Sequence, residues 1–168
     1  DPDRDLQRVG VANQTTMLAN ESLAIAAELR AAMERRHGPE HAAEHFRTFD
    51  TICSATQDRQ DAVLKLLEEP LDLMLVIGGY NSSNTTHLAA ICAARVPTYH
   101  IEDASCIDPD AGTIRFRPAG AKAETSRADW LPAGPLTIGV TAGASTPNNK
   151  IGETIERVVA IRGGTLAP

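Results

Sequence analysis

The sequence predicts an open α/β protein built from repeated strand–loop–helix units, on three observations. A run that is apolar except at Asp72, Leu71–Ile77, has the length and composition of a buried strand. Amphipathic helical stretches with apolar residues three and four apart lie between such runs. At three places a short apolar segment passes into a small, hydroxyl- or amide-rich loop and then into a helix: Asn13-Gln14-Thr15-Thr16, Asn81-Ser82-Ser83-Asn84 and Thr141-Ala142-Gly143-Ala144-Ser145.

Taken in order, Leu6–Ala12 alternates enough to form a short strand. A helix is expected from about Asn20 to Arg36, with Leu18, Ser22, Ile25, Leu29, Ala32 and Met33 inward and Gly38-Pro39 as its stop. His37, His41 and His45 recur every four residues. Pro39 breaks their register and no zincin-type carboxylate accompanies them, so a solvated polar connection is favoured over a metal site. Phe46–Asp50 returns the chain to the interior. A second helix, Gln57–Glu69, should bury Ala62, Val63, Leu66 and Leu67 and close at Pro70. Cys53 precedes its start, where a helix dipole favours thiolate; a buried, inert cysteine is the equal alternative.

The run Leu71–Ile77 leads through Gly78-Gly79-Tyr80-Asn81-Ser82-Ser83-Asn84 into a helix ending near Ala94, whose apolar face includes Cys92. Glycines there permit positive φ or close approach. Free N–H groups and the dipole at a helix start favour an anion, and small polar side chains add neutral hydrogen bonds. Val96–Ile101 is the next strand. Residues 112–129 read as an exposed strand or hairpin, a surface insertion, and Cys106 lies in a polar segment. Pro135–Val140 is the last strand; Thr146 is expected to N-cap the final helix with Pro147 at its first position and Ile151, Ile155, Val158 and Val159 inward.

Loops at the carboxyl ends of parallel strands converge on a ligand crevice. Thr15, Thr16, Ser82, Ser83, Asn84 and Ser145 could therefore surround one anion, although Lys150 is the nearest cation in sequence. A net charge of −6, with no Lys/Arg block, argues against a nucleic-acid surface. No apolar run reaches membrane-spanning length and the start is unlike a signal peptide. Three scattered cysteines without CxxC suit a reducing compartment better than a disulfide framework.

Three motifs in this order, Thr51-Ile52-Cys53-Ser54-Ala55-Thr56-Gln57-Asp58-Arg59-Gln60, Gly78-Gly79-Tyr80-Asn81-Ser82-Ser83-Asn84-Thr85 and Gly139-Val140-Thr141-Ala142-Gly143-Ala144-Ser145-Thr146-Pro147, resemble the 4-hydroxy-3-methylbut-2-enyl diphosphate reductase (LytB) family. Asn13–Leu18 and His45–Asp50 look like its cyanobacterial and plastid branch, and the resemblance runs from about Val9 to Gly163. It implies a three-lobed, trefoil-like α/β fold around a [4Fe–4S] cluster, with residues 1–50 ending the central lobe and 51–168 forming the C-terminal lobe. Cys53 matches one of three cysteine ligands. Thr15, Ser82, Ser83, Asn84 and Ser145 match positions that bind the diphosphate substrate, and Thr15 would also orient or relay a proton.

The other two cysteines, the substrate-contacting histidines and a proton-donating glutamate belong to the part of the family preceding this sequence. The implied reaction is reductive dehydroxylation to isopentenyl and dimethylallyl diphosphate. The substrate's hydroxyl would bind the cluster's open iron, and electrons would come from a donor such as ferredoxin or flavodoxin. The implied location is cytoplasmic, or the plastid stroma. This chain alone is expected to be inactive. The rival reading is a non-catalytic α/β module binding a phosphorylated small molecule at helix N-termini.

Overall fold

A computed structural model describes all residues except 16, 18, 53 and 165–168, and describes Ala19 by its backbone alone. The chain forms two compact units, Asp1–Gln57 and Asp58–Pro168.

The first unit opens with a four-residue helix α1 (Pro2–Asp5), N-capped by the Asp1 carboxylate. Strands β1 (Val9–Ala12) and β2 (Phe46–Phe49) pair in parallel, Val9 opposite Phe46 and Ala12 opposite Phe49. Helices α2 (Ala19–His37) and α3 (Ala42–His45) connect them, and Gly38, at φ +89°, ends α2 where a residue with a Cβ would be strained. The expected inner face of α2 is only partly right. Ser22, Ala26 and Met33 are buried, whereas Ile25 and Leu29 stand 54% and 40% exposed. A parallel pair of two strands offers a narrow surface, and the stripe through residues 22, 26 and 33, one and two turns apart, fits it. The chain's return at β2 is likewise partial: Phe46 is buried and Phe49 is exposed.

The connection is exposed at Pro39, Glu40 and His41, as expected, while His37 and His45 on either side of it are half-buried. Their rings stack in parallel, centroids 3.8 Å apart, and His45 Nδ1 lies 2.7 Å from the Gln7 carbonyl. Parallel rings direct their in-plane lone pairs side by side, which does not suit chelation of one ion.

In the second unit the apolar run forms β3 (Leu73–Ile77), all five residues buried. It is the centre of a parallel sheet between β4 (Thr98–Ile101) and β8 (Ile138–Ala142), in the order β4-β3-β8. Successive side chains of β3 serve opposite faces. Met74 and Val76 join Val63 and Leu67 at the end of α4 (Ser54–Leu66), and Leu88, Ala89 and Cys92 of α5 (Ser83–Ala93). Leu73, Leu75 and Ile77 join Tyr99, Ile101, Ile107, Ile114, Trp130 and Val158, the last from α6 (Asn148–Ile161). Burial on both faces explains why β3 shows no polar alternation. Ala62, expected inward, is exposed, because the buried stripe of α4 continues through Val63 to Leu67 just beyond its end.

An antiparallel sheet, β5 (Ile107–Asp108), β6 (Thr113–Phe116) and β7 (Thr125–Ala128), covers one side of this core. The expectation of a surface insertion at 112–129 is therefore corrected. Ile114 is fully buried, Phe116 meets the Tyr99 ring edge-on at 4.8 Å, and a single bridge joins Arg117 to His100. Cys106, in a segment that reads as polar, is also buried in this core.

The start of α6 is a further correction. Pro147 occupies the N-cap and Thr146 turns its hydroxyl back to the Ile77 carbonyl at 3.1 Å. That hydroxyl joins a loop to a strand end and is not a helix cap. On α6 itself Thr154 and Val158 are buried while Ile151, Ile155 and Val159 are half-buried; Thr154 hides its hydroxyl by donating to the Lys150 carbonyl at 2.7 Å.

Candidate functional site

β3 and β8 pair with Ile77 opposite Ala142, so both strands end at the same level and their two polar loops leave side by side. Gly78 begins the first at φ +142° and Gly143 continues the second. A Cβ on Gly78 would lie 2.6 Å from Thr146 Oγ1, and one on Gly143 would lie 2.1 Å from Thr85 Oγ1. Both glycines are thus required by close approach, the first also by its backbone conformation. The Gly143 N–H donates to the Ile77 carbonyl at 2.9 Å, closing the junction.

α5 starts at this junction. Ser82 caps it, its hydroxyl accepting from the Thr85 N–H at 3.3 Å. Asn84 is 3% exposed, and its Oδ1 accepts from the Ala144 N–H of the neighbouring loop at 3.2 Å. Because Ala144 N–H can only donate, the amide orientation is fixed with oxygen toward Ala144. Asn84 Nδ2 is then a buried donor with no hydrogen-bond partner, and Thr85 Oγ1 beside it is in the same position. Buried polar groups are ordinarily satisfied, so an orphan donor at a helix N-terminus marks a place for an acceptor. Ser83 is half-buried in the first turn and Ser145 is exposed on the adjoining loop. Ser82, Ser83, Asn84 and Ser145 are therefore neighbours within one unit.

Thr15 belongs to the first unit, exposed in the turn after β1. Of its loop, Thr16 lies outside the described residues. The turn is tied to the segment before Cys53 by Thr51, whose hydroxyl accepts from the Asn13 N–H at 2.7 Å and donates to the Asn13 carbonyl at 2.6 Å. This pair of hydrogen bonds joins two stretches the sequence marked independently, and nothing local in the sequence distinguishes Thr51 for it.

Arg59 was also missed. The sequence offered Lys150 as the nearest cation to the loops, yet Arg59 Nη1 lies 3.5 Å from the Ala142 carbonyl, at the foot of the Thr141–Ser145 loop, and its buried Nε has no partner. Its arrival depends on folding, since 83 residues separate the two.

The expected metal ligand, Cys53, lies outside the described residues. Among the described residues there is no group of three or more His, Cys, Asp or Glu able to hold a metal ion. Cys92 and Cys106 are free thiols inside the core, and burial pushes Cys92 up to about 12, so it stays protonated. Neither suits ligation, as the sequence indicated for Cys92.

Residues 2–159 match the family model described as LytB protein. The chain belongs to the LytB family. It is 53% identical over 164 residues to the 4-hydroxy-3-methylbut-2-enyl diphosphate reductase of Gloeobacter violaceus, covering 97% of this chain and 39% of that protein. Against the chloroplastic enzyme of the same name from Botryococcus braunii it is 50% identical over 179 residues, covering all of this chain and 35% of the relative. The LytB segment described here thus spans well under half the length of the curated relatives it matches. Among solved structures, the E-1-hydroxy-2-methyl-but-2-enyl-4-diphosphate reductase from Plasmodium falciparum superposes with a TM-score of 0.59 at 22% identity, over 88% of this chain and 38% of that one. That likeness supports the mixed α/β fold.

Proposed function

We propose that this chain is a C-terminal portion of a 4-hydroxy-3-methylbut-2-enyl diphosphate reductase, and that it supplies the diphosphate-binding wall of the active site. The observation that carries this reading is the buried, unpartnered Asn84 Nδ2 at the capped start of α5, where the two polar loops join. The helix dipole, the Ser82 and Ser83 hydroxyls, Asn84 and Ser145 would hold the diphosphate, and Arg59 would bring positive charge to the foot of the second loop. Holding that end of the substrate fixes where the reacting alcohol lies.

The reaction takes in two electrons and two protons, breaks one C–OH bond and releases one water. When bound, an iron–sulfur cluster supplies the electrons, drawn from a carrier such as ferredoxin or flavodoxin, and Cys53 would be the one ligand this chain contributes. Thr15 would orient the reacting hydroxyl or pass it a proton. In this reading residues 1–50 finish the central lobe of a three-lobed protein and 51–168 form the next. No described helix is long and apolar enough to cross a membrane, and relatives from cyanobacteria and a chloroplast support a cytoplasmic or stromal location.

The test is made on the complete protein purified without oxygen. Asn84→Ala should weaken inorganic diphosphate binding at least tenfold, about 1.4 kcal/mol, while Cys53→Ser should lose iron and sulfide but keep diphosphate binding. Retention of full diphosphate affinity by Asn84→Ala would remove the loop from the site. Binding of diphosphate by a protein that never takes up iron would favour a non-catalytic phosphate-binding module.

A further inference from the structure

Tyr80 sits in the middle of the Gly78–Asn84 loop, and it is held from four directions by residues outside that loop. The Arg117 guanidinium lies over its ring, 4.7 Å from the centroid, and the His100 ring meets it edge-on at 4.9 Å. The Tyr80 hydroxyl donates to Glu124 Oε1 at 2.8 Å, and Arg115 Nη1 holds the same oxygen at 2.6 Å. Arg117 Nη2 donates to the Tyr80 carbonyl and, at 3.2 Å, to Thr86 Oγ1 in the first turns of α5.

His100 completes the grip from below. It is 2% exposed, and its Nε2 lies 2.9 Å from the Gly78 carbonyl, which fixes that nitrogen as the protonated one because a carbonyl only accepts. Burial, and to a lesser degree the Arg117 charge, lower its pKa, in keeping with a neutral ring. The backbones of the two residues are themselves joined, the Arg117 N–H donating to the His100 carbonyl at 2.9 Å.

We propose that Arg117 and His100 are positioning residues for the ligand loop: by fixing the carbonyls of Gly78 and Tyr80 they set the direction in which α5 presents its N-terminus. This rests on the reading of Gly78–Asn84 as the diphosphate loop, and through Arg117, the residue that follows β6, it gives the antiparallel sheet a task at the site beside that of His100 in β4. Arg117 donates to the Tyr80 carbonyl and to Thr86 Oγ1 from Nη2 while its guanidinium carbon sits over the Tyr80 ring. A guanidinium is weakly hydrated and suited to an aromatic face, whereas a strongly hydrated ammonium on a flexible stem is a poor substitute.

The experiment compares Arg117→Ala, Arg117→Lys and Lys122→Ala in the complete protein by hydrogen exchange over peptides spanning Gly78–Thr86, alongside titration with inorganic diphosphate. Lys122 lines the same open hollow of about 370 Å³ as Tyr80 and Arg117, and serves as the control for local charge. Both Arg117 variants should speed exchange of the Ser82, Thr85 and Thr86 amides about tenfold or more, with β3 unchanged, and weaken diphosphate binding about tenfold. Lys122→Ala should do neither. Unchanged loop exchange in Arg117→Lys, or an equal effect from Lys122→Ala, overturns the proposal; should Arg117→Ala unfold the protein, Arg117→Lys alone decides. A wild-type protein that binds no diphosphate, while Arg117→Lys still loosens the loop, sinks the ligand reading and leaves the grip standing.

Discussion

The two units of the chain place their large apolar residues in opposite ways. In the second, five consecutive residues of β3 are buried on both faces of a three-stranded sheet. In the first, Leu6, Leu23, Ile25, Leu29 and Phe49 stand 40–59% exposed, and no other large hydrophobic among the described residues is so exposed. The difference teaches that apolar periodicity is a property of a helix, whereas burial is a property of what it packs against. Two strands cannot cover a 19-residue helix, while three strands with helices and a second sheet cover each other.

The largest effect that would break this comparison is a core truncation. Leu75→Ala should cost about 3 kcal/mol, and Leu23→Ala in the first unit less than about 0.5 kcal/mol, both read by urea denaturation of the 168-residue chain. Equal losses would mean that the units are not built differently. Next comes the loop junction. Gly143→Ala drives a Cβ to 2.1 Å from the stiff Thr85 side chain and should cost about 1–3 kcal/mol. Gly10→Ala in β1, with nothing within 4 Å of the new methyl, should be neutral by thermal melting.

A smaller contrast concerns ion pairs. The Ser105 hydroxyl, with Lys150 Nζ at 3.1 Å, holds the Asp103 carboxyl down to about 2. Because the folded pKa is depressed, the stabilisation is full above the unfolded value near 4 and is lost as pH falls toward 2. Allowing for solvent screening, Asp103→Asn should remove about 1 kcal/mol at neutral pH and flatten the acid limb of a pH–stability profile. In the first unit Arg36–Asp3 spans 2.6 Å, but the Asp3 side chain is 89% exposed, and Asp3→Asn should change nothing measurable.

The smallest change is one of slope. Burial lowers the His100 pKa, so its neutral form favours the fold; that contribution is present above pH 6.5 and declines as pH falls below it, when the unfolded chain takes up a proton the folded one resists. His100→Phe should reduce the stability lost between neutral and mildly acidic pH, and an unchanged profile would remove His100 as its source.

What could be read from the sequence was what local chemistry determines. The buried run, Gly78 and Ser82 at the start of α5, and the stop at Gly38 are written in adjacent residues. The inner face of α2 was misread because Ile25 and Leu29 are apolar without a partner in their unit. β6 was misread because Arg115, and Arg117 just past the strand, alternate with Ile114 and Phe116, a pattern equally suited to a solvated hairpin, and only Tyr99 and Trp130 show which side is inside. Arg59 at Ala142 and Thr51 at Asn13 were invisible for the same reason: their partners are 83 and 38 residues away.

The register that sets Ile77 opposite Ala142 makes β8 act as a ruler for the site. A single residue inserted into that strand would slide Ser145 along by one step of about 3.3 Å and invert every side chain before it. An insertion in the exposed turn near Gly120 would leave this spacing alone. Length variation among sequences of this kind should therefore collect in the turn and spare β8, whatever happens to residue identity.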